Sequence, residues 1–249
     1  MPKSATRGTS TPAGTLHARQ TRDLGTLETA PRRWHLRNWL QHRRRALPAD
    51  VATACLGRLV GAVAVQSRLS MAHYAPDLTR LDREQHQRLQ ALLRANTPVH
   101  TLAAAFGGRV VDYGVVGTRV VTTAGVGFIV DAFQNTVELE IMKYHALGTG
   151  GTAEASGDGA LVTEWTSGNY NTTRATGSLT EGGSANVYRT VGTNTKADAG
   201  SSSVTEHGIF SQAATGGGVL LDRTLFSVVT IAQNDALQTT YDLTLPAGS

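Results

Sequence analysis

Apolar positions along this chain change their period near its middle. Trp34, Leu36, Trp39 and Leu40 lie at near-helical spacing inside an arginine-rich stretch, and Pro48 closes the pattern. Val51, Cys55, Leu59, Ala62 and Val63 then follow an i, i+4, i+8 face. They predict a helix over 51–71, with Asp50 as its cap. Leu81, Leu89, Leu92 and Leu93 predict a further helix over 81–95, whose Asp82, Arg83, Glu84 and Arg88 face water. Residues 1–30 are rich in Thr, Ser, Gly and Pro and poor in apolar side chains. Alone they bury too little surface to offset their ordering entropy.

After residue 106 the pattern becomes strand-like. Runs at 109–116, 118–122, 139–147, 160–165, 174–179, 185–191, 204–210, 219–231 and 237–245 alternate with Gly, Ser and Asn clusters. Between them Val126, Ile129, Val130 and Phe133 fall at i, i+3, i+4 and i+7, predicting a short helix that Thr123 caps. The last run alternates without a break. Leu237, Thr239, Tyr241, Leu243 and Leu245 share one face, and Gln238, Thr240, Asp242 and Thr244 the other. The expected fold class is α+β: a helical, Arg-rich N-terminal region followed by a mainly antiparallel β-sandwich or barrel. Three regions are expected: a flexible basic arm at 1–48, a helical region at 49–105 and a β-rich domain at 106–249.

Charge and composition sharpen that division. The 249-residue chain carries a net +4, yet residues 1–105 hold 16 basic and 6 acidic side chains (+10), and residues 106–249 hold 7 and 13 (−6). Of the 27 glycines, 22 lie after residue 105. Cys55 is the single cysteine, which excludes an intramolecular disulfide framework and a cysteine zinc cluster. On a mostly apolar helix face it reads as a small buried hydrophobe. No apolar run is long enough to span a bilayer, and the first residues lack a signal-peptide core. A soluble chain made in a reducing compartment is expected.

Motifs for catalysis are sparse. Gly148-Thr-Gly150-Gly-Thr-Ala153 has the glycine spacing of a dinucleotide fingerprint. That chemistry needs a helix directly afterwards to point its N-terminal amides at pyrophosphate, and Gly157 and Gly159 weaken any helix there, so a turn is expected. The chain has no phosphate loop, no His-Glu-x-x-His and no Gly-x-Ser-x-Gly elbow. His145 and His207 are the histidines set among strand-like residues, and neither has a nameable partner, so a structural role is expected for both. Asn171-Thr-Thr173 has the letters of a glycosylation sequon but no export signal to give it meaning. No catalytic residue, cofactor or metal site is expected, and the chain is read as a non-enzyme.

The sharpest positive feature is the run Pro31-Arg-Arg-Trp-His-Leu-Arg-Asn-Trp-Leu40 with Arg43, Arg44 and Arg45 behind it. Arginines with interleaved tryptophans suit either phosphates and bases or an acidic protein surface with apolar pockets. The acidity of the second region favours the protein partner. Arg32, Arg33, Trp34, Arg37, Trp39, Arg43, Arg44 and Arg45 are the expected partner-binding residues.

Several ordered stretches carry a resemblance. Arg119-Val-Val-Thr-Thr-Ala-Gly-Val126 leads into Phe128-Ile-Val-Asp-Ala-Phe133, then Met142-Lys-Tyr-His-Ala-Leu-Gly-Thr-Gly150 and Arg174-Ala-Thr-Gly177. Val204-Thr-Glu-His-Gly-Ile-Phe210, Gly217-Gly-Val-Leu-Leu-Asp-Arg-Thr224 and Asp235-Ala-Leu-Gln-Thr-Thr-Tyr-Asp-Leu-Thr244 complete the series. Over about residues 118–245 this order resembles a group of small structural proteins of tailed bacteriophages, departing at Asn234, where their pattern has Gly. Asn also adopts the left-handed turn conformation, so the change is mild. The resemblance implies a β-rich virion protein, made in the host cytoplasm. The role expected first is capsid decoration (cement), with an N-terminal arm on the outside of the major capsid shell. A neck, tail or fibre-associated position is the alternative, and nucleic-acid binding through the Arg-rich region a second. Expected partners are the major capsid protein or other virion proteins, and further copies of the chain in a homo-oligomer. No membrane contact is expected.

Overall fold

Strand alternation and turn chemistry build two antiparallel sheets. The computed structural model describes residues 65–246, apart from 119, 171 and 172. The strands are β1 (Gln66–Ala75), β2 (Arg109–Gly117), β3 (Val120–Val121), β4 (Tyr144–Gly148), β5 (Ala175–Thr176), β6 (Ser178–Glu181), β7 (Val187–Thr195), β8 (Ser201–Phe210), β9 (Leu220–Ala232) and β10 (Ala236–Thr244). One five-stranded sheet runs β2-β1-β10-β7-β6 and the other β3-β9-β8-β4-β5. Leu69 and Met71 of β1 and Leu237, Tyr241 and Leu243 of β10 meet Leu147, Val204, Ile209, Val229 and Ile231 of the other sheet in one buried cluster. The architecture is a β-sandwich.

Register explains which residues reach this core. On β10, Leu237, Thr239, Tyr241 and Leu243 are buried as the alternation predicts, whereas Leu245, just past the strand, is exposed. On β8, Val204 and Ile209 both join the core although they lie five positions apart, which strict alternation forbids. The ladder is interrupted between them: Val204 pairs with Val229 but Glu206 with Leu225, two steps along β8 against four along β9, and the alternation of both strands is broken at this bulge. Beyond the bulge His207 and Ile209 enter the core, while Phe210 packs with Ala146, Leu161 and Leu220 in a second cluster.

Helices cover part of the framework. Helix α1 (Arg83–Arg94) starts at Asp82, whose carboxylate accepts from the Gln85 amide while Gln85 reaches back to the Asp82 N–H. Leu89 and Leu93 are fully buried, and Arg83, Glu84 and Arg88 face water as predicted. Helix α2 (Val99–Phe106), which the sequence pattern does not announce, adds Val99 and Leu102. The pair packs on Ala72, Tyr74 and Ala236 of the first sheet. Helix α3 (Thr123–Phe133) is capped by Thr122, not by Thr123: the Thr122 hydroxyl accepts from the Gly125 N–H at 2.9 Å.

Three expectations need correction. The described end of the expected 51–71 helix is strand, because its helical repeat stops at Val63 while Leu69 and Met71 alternate with exposed or outward residues beside β10. The compositional boundary near 105 is no break in packing: β1, α1 and α2 belong to the same compact unit as the sandwich, Val63–Ala247. The stretch 160–165 is irregular apart from a bridge between Glu164 and Gly148, and 139–141 is a 3-10 turn ahead of β4. The basic arm, Cys55 and the described chain's N-terminal helix predictions up to residue 64 lie outside the described residues.

Candidate functional site

The eight expected arm residues, Arg32 to Arg45, lie outside the described residues. What the structure brings together instead are polar side chains that the sequence scatters. His145 on β4 and His207 on β8 are both fully buried, with His145 Nδ1 3.1 Å from His207 Nε2. His145 also meets Thr239 Oγ1 of β10 at 2.8 Å through Nδ1 and Thr190 Oγ1 of β7 at 3.1 Å through Nε2. One imidazole thus ties two neighbouring strands of the opposite sheet, β10 and β7. It fits because position 192 is glycine: a Cβ there would stand 2.6 Å from the His145 ring. Burial, and then the neighbouring His207, hold the His145 pKa well below the ordinary imidazole range, and burial pushes His207 down to about 3. Both rings are therefore neutral at physiological pH.

Asp222 lies in the same interior. The Thr224 hydroxyl donates to its Oδ1 at 2.8 Å, and burial pushes its pKa up to about 6. Asp222 Oδ2, His207 Nδ1 and Tyr241 OH are buried without a hydrogen-bond partner among the described residues. The chemistry available is that of a fixed polar tie between sheets, with the His145 and His207 rings at 0 % exposure and so out of reach of a soluble substrate.

A second set of polar groups pins loops to the sandwich. Glu206 accepts from the N–H groups of Gly150 (2.9 Å), Val162 (3.2 Å) and Thr163 (2.8 Å) and from Arg223 Nε (2.9 Å). Arg223 continues to Asp158 at 2.9 Å and to the Thr152 carbonyl at 2.9 Å. The glycines of the fingerprint-like motif serve this carboxylate: a Cβ on Gly148 or Gly150 would approach Glu206 Oε1 to 2.5 Å. No helix follows the motif, in accord with the turn expected there. Arg174 makes the matching staple. Its guanidinium forks onto Glu164 at 2.6 and 3.0 Å, donates to the Gln212 and Gly217 carbonyls, and lies 3.5 Å from the Phe210 ring centroid. Lys196, also buried, pairs with Asp198 beside Trp165.

The sequence pattern does not reveal these staples as a group, although Arg174, Glu206 and Arg223 each stand in a quoted motif. The signal is a charged side chain set in a strand with apolar neighbours, as Glu206 is in β8 and Arg223 in β9, which burial makes tolerable only beside a paired partner. The described residues hold no cluster of three or more His, Cys, Asp or Glu able to bind a metal, and no helix among them is long and apolar enough to cross a membrane. No protein-family model, no curated protein and no solved structure matches the chain.

Proposed function

We propose that this chain is a non-enzymatic structural protein of a tailed-phage virion, and specifically a capsid decoration protein. In this reading the sandwich is the rigid body, and the Arg- and Trp-bearing N-terminal region is the arm that reaches onto the shell. The observation that carries it is where the ionisable residues of the sandwich are used. Glu206, Arg223, Arg174, His145 and His207 are each at most 4 % exposed and each holds a loop or a sheet to its neighbour. Polar groups committed to internal ties suit a subunit that works by keeping its shape. The ordered motifs that resemble phage structural proteins include those ties: Glu206 and His207 in one, Arg223 in another, Arg174 in a third. A long wrapped contact offsets the entropy cost of fixing a chain segment on a partner.

Deleting residues 1–48 tests the arm. The shortened chain is expected to keep the circular-dichroism signature of the sandwich and to disappear from purified particles. Incorporation at the full-length level would contradict an attachment role for the arm.

A further inference from the structure

Helix α3 is apolar on both of its sides. Gly125 and Phe128 are buried, while Val126, Val130 and Phe133 are 46 %, 47 % and 81 % exposed. The turn Leu139–Ile141, which packs against α3, adds exposed Leu139 and Ile141. A helix apolar all round is ordinarily covered all round. Of the eleven large apolar residues exposed among the described residues, these five crowd into 126–141. The same stretch, 123–142, carries exposed Asp131, Glu138 and Glu140 and no Lys or Arg. The surface is an apolar stripe with acidic flanks.

Size and charge select the occupant. A stable contact between two folded domains covers roughly 800 Å² on each partner with 20–30 residues, more than five side chains provide. A second sandwich docked stripe to stripe would also set its own three acids against these. What fits is a short segment with bulky apolar side chains and basic flanks, the helix-in-groove mode of recognition. Residues 31–45 have that chemistry: Trp34, Leu36, Trp39 and Leu40 with six arginines and no acid. The chain between Arg45 and Val65 spans up to about 65 Å when extended, so reach to another molecule is not limiting.

We infer that α3 and the turn Leu139–Ile141 are the receptor for segment 31–45 of another copy of this chain. The inference rests on the arm proposed above, with segment 31–45 of that arm gripping a neighbouring copy on the shell, and not on where in the virion the protein stands. An exchanged arm links each copy to the next, one donor and one acceptor per chain.

Cross-linking between full-length chains tests it. One chain carries Cys55→Ser with His42→Cys, and the other Cys55→Ser with Gln134→Cys. Mixed under mild oxidation, they are expected to form a disulfide-linked pair at a yield about tenfold above a control partner with Cys55→Ser and Val228→Cys, an exposed site on β9. Phe133→Asp in the acceptor chain, or molar salt, is expected to lower that yield about fivefold, through lost apolar contact or screened charge. Equal yields from both partners would overturn the inference. So would a link formed only inside a chain bearing both new cysteines, which would make the arm's own sandwich the receptor. Preferential pairing of Gln134→Cys chains with each other would overturn it in favour of a second sandwich. If cross-linking fails while the protein is abundant on particles, the receptor is wrong and the decoration reading stands. If cross-linking succeeds while the protein is absent from particles, the reverse holds.

Discussion

Removing the Glu206 carboxylate leaves Arg223 buried beside Asp158 alone and frees three backbone N–H groups of the 149–163 segment. Breaking a buried pair from one side costs about 3–5 kcal/mol, because the surviving charge stays out of water. Glu206→Ala is therefore expected to lower stability by that order in urea unfolding, with the loop 149–163 the first region to lose hydrogen-exchange protection. A change under about 1 kcal/mol would mean that the loop is held by other contacts. Asn234 illustrates the same scale from the other direction. It takes φ +68° at the β9–β10 turn, a left-handed conformation that Asn tolerates, and accepts from Tyr170 OH through its side chain.

At the scale of elements, the two sheets are tied through His145 and His207, which gives the sandwich a defined response to acid. Both folded-state pKa values lie below the unfolded value near 6.5, so the unfolded chain binds more protons as pH falls below that point. Their contribution is complete above pH 6.5 and is lost as the pH falls below it, for His207 down to about pH 3, at up to about 1.4 kcal/mol per pH unit for each ring. Asp222 opposes them. Its folded pKa of about 6 exceeds the unfolded 3.8, so its contribution is present below pH 3.8 and is lost as pH rises through 6. Two rings outweigh one carboxyl, and the net expectation is a melting temperature that falls from pH 7 to pH 4. Asp222→Asn removes the opposing slope, and at pH 8 it is expected to match or exceed the parent's stability. A flat melting profile, or a loss above about 1 kcal/mol for Asp222→Asn at pH 8, would contradict this assignment of charge. The elements themselves were largely legible. Clean alternation at 237–243 and the spacing of Leu89 and Leu93 announced β10 and α1, whereas the Asp82 cap emerged only from the structure. The β8 bulge was not, because it depends on extra residues in β9, a partner strand sixteen or more positions away. Nor could spacing pair His145 with His207, or Arg174 with Glu164, since strand order decides both.

The whole molecule divides its charge between residues 1–64, at +8, and the sandwich-bearing residues 65–249, at −4. Such polarity suits repeated copies that attract one another head to arm, and like charges across any single-sign contact would resist it. The edges of the sheets do not offer another route to assembly. β3 and β5 are two residues long, β6 is four, and β2 has register shifts at two points and a Gly114 turn held by Asp112. Short or bulged edges discourage strand addition, which is in keeping with the assembly through the α3 stripe and the arm proposed above. Copy number per particle tests that account most directly, by quantitative mass spectrometry of purified virions against the major capsid protein. A ratio near one, or another simple fraction of the shell lattice, is the expected result. A ratio of a few per cent or less would place the protein at the neck, tail or fibres, and absence from the particle would contradict a virion role altogether.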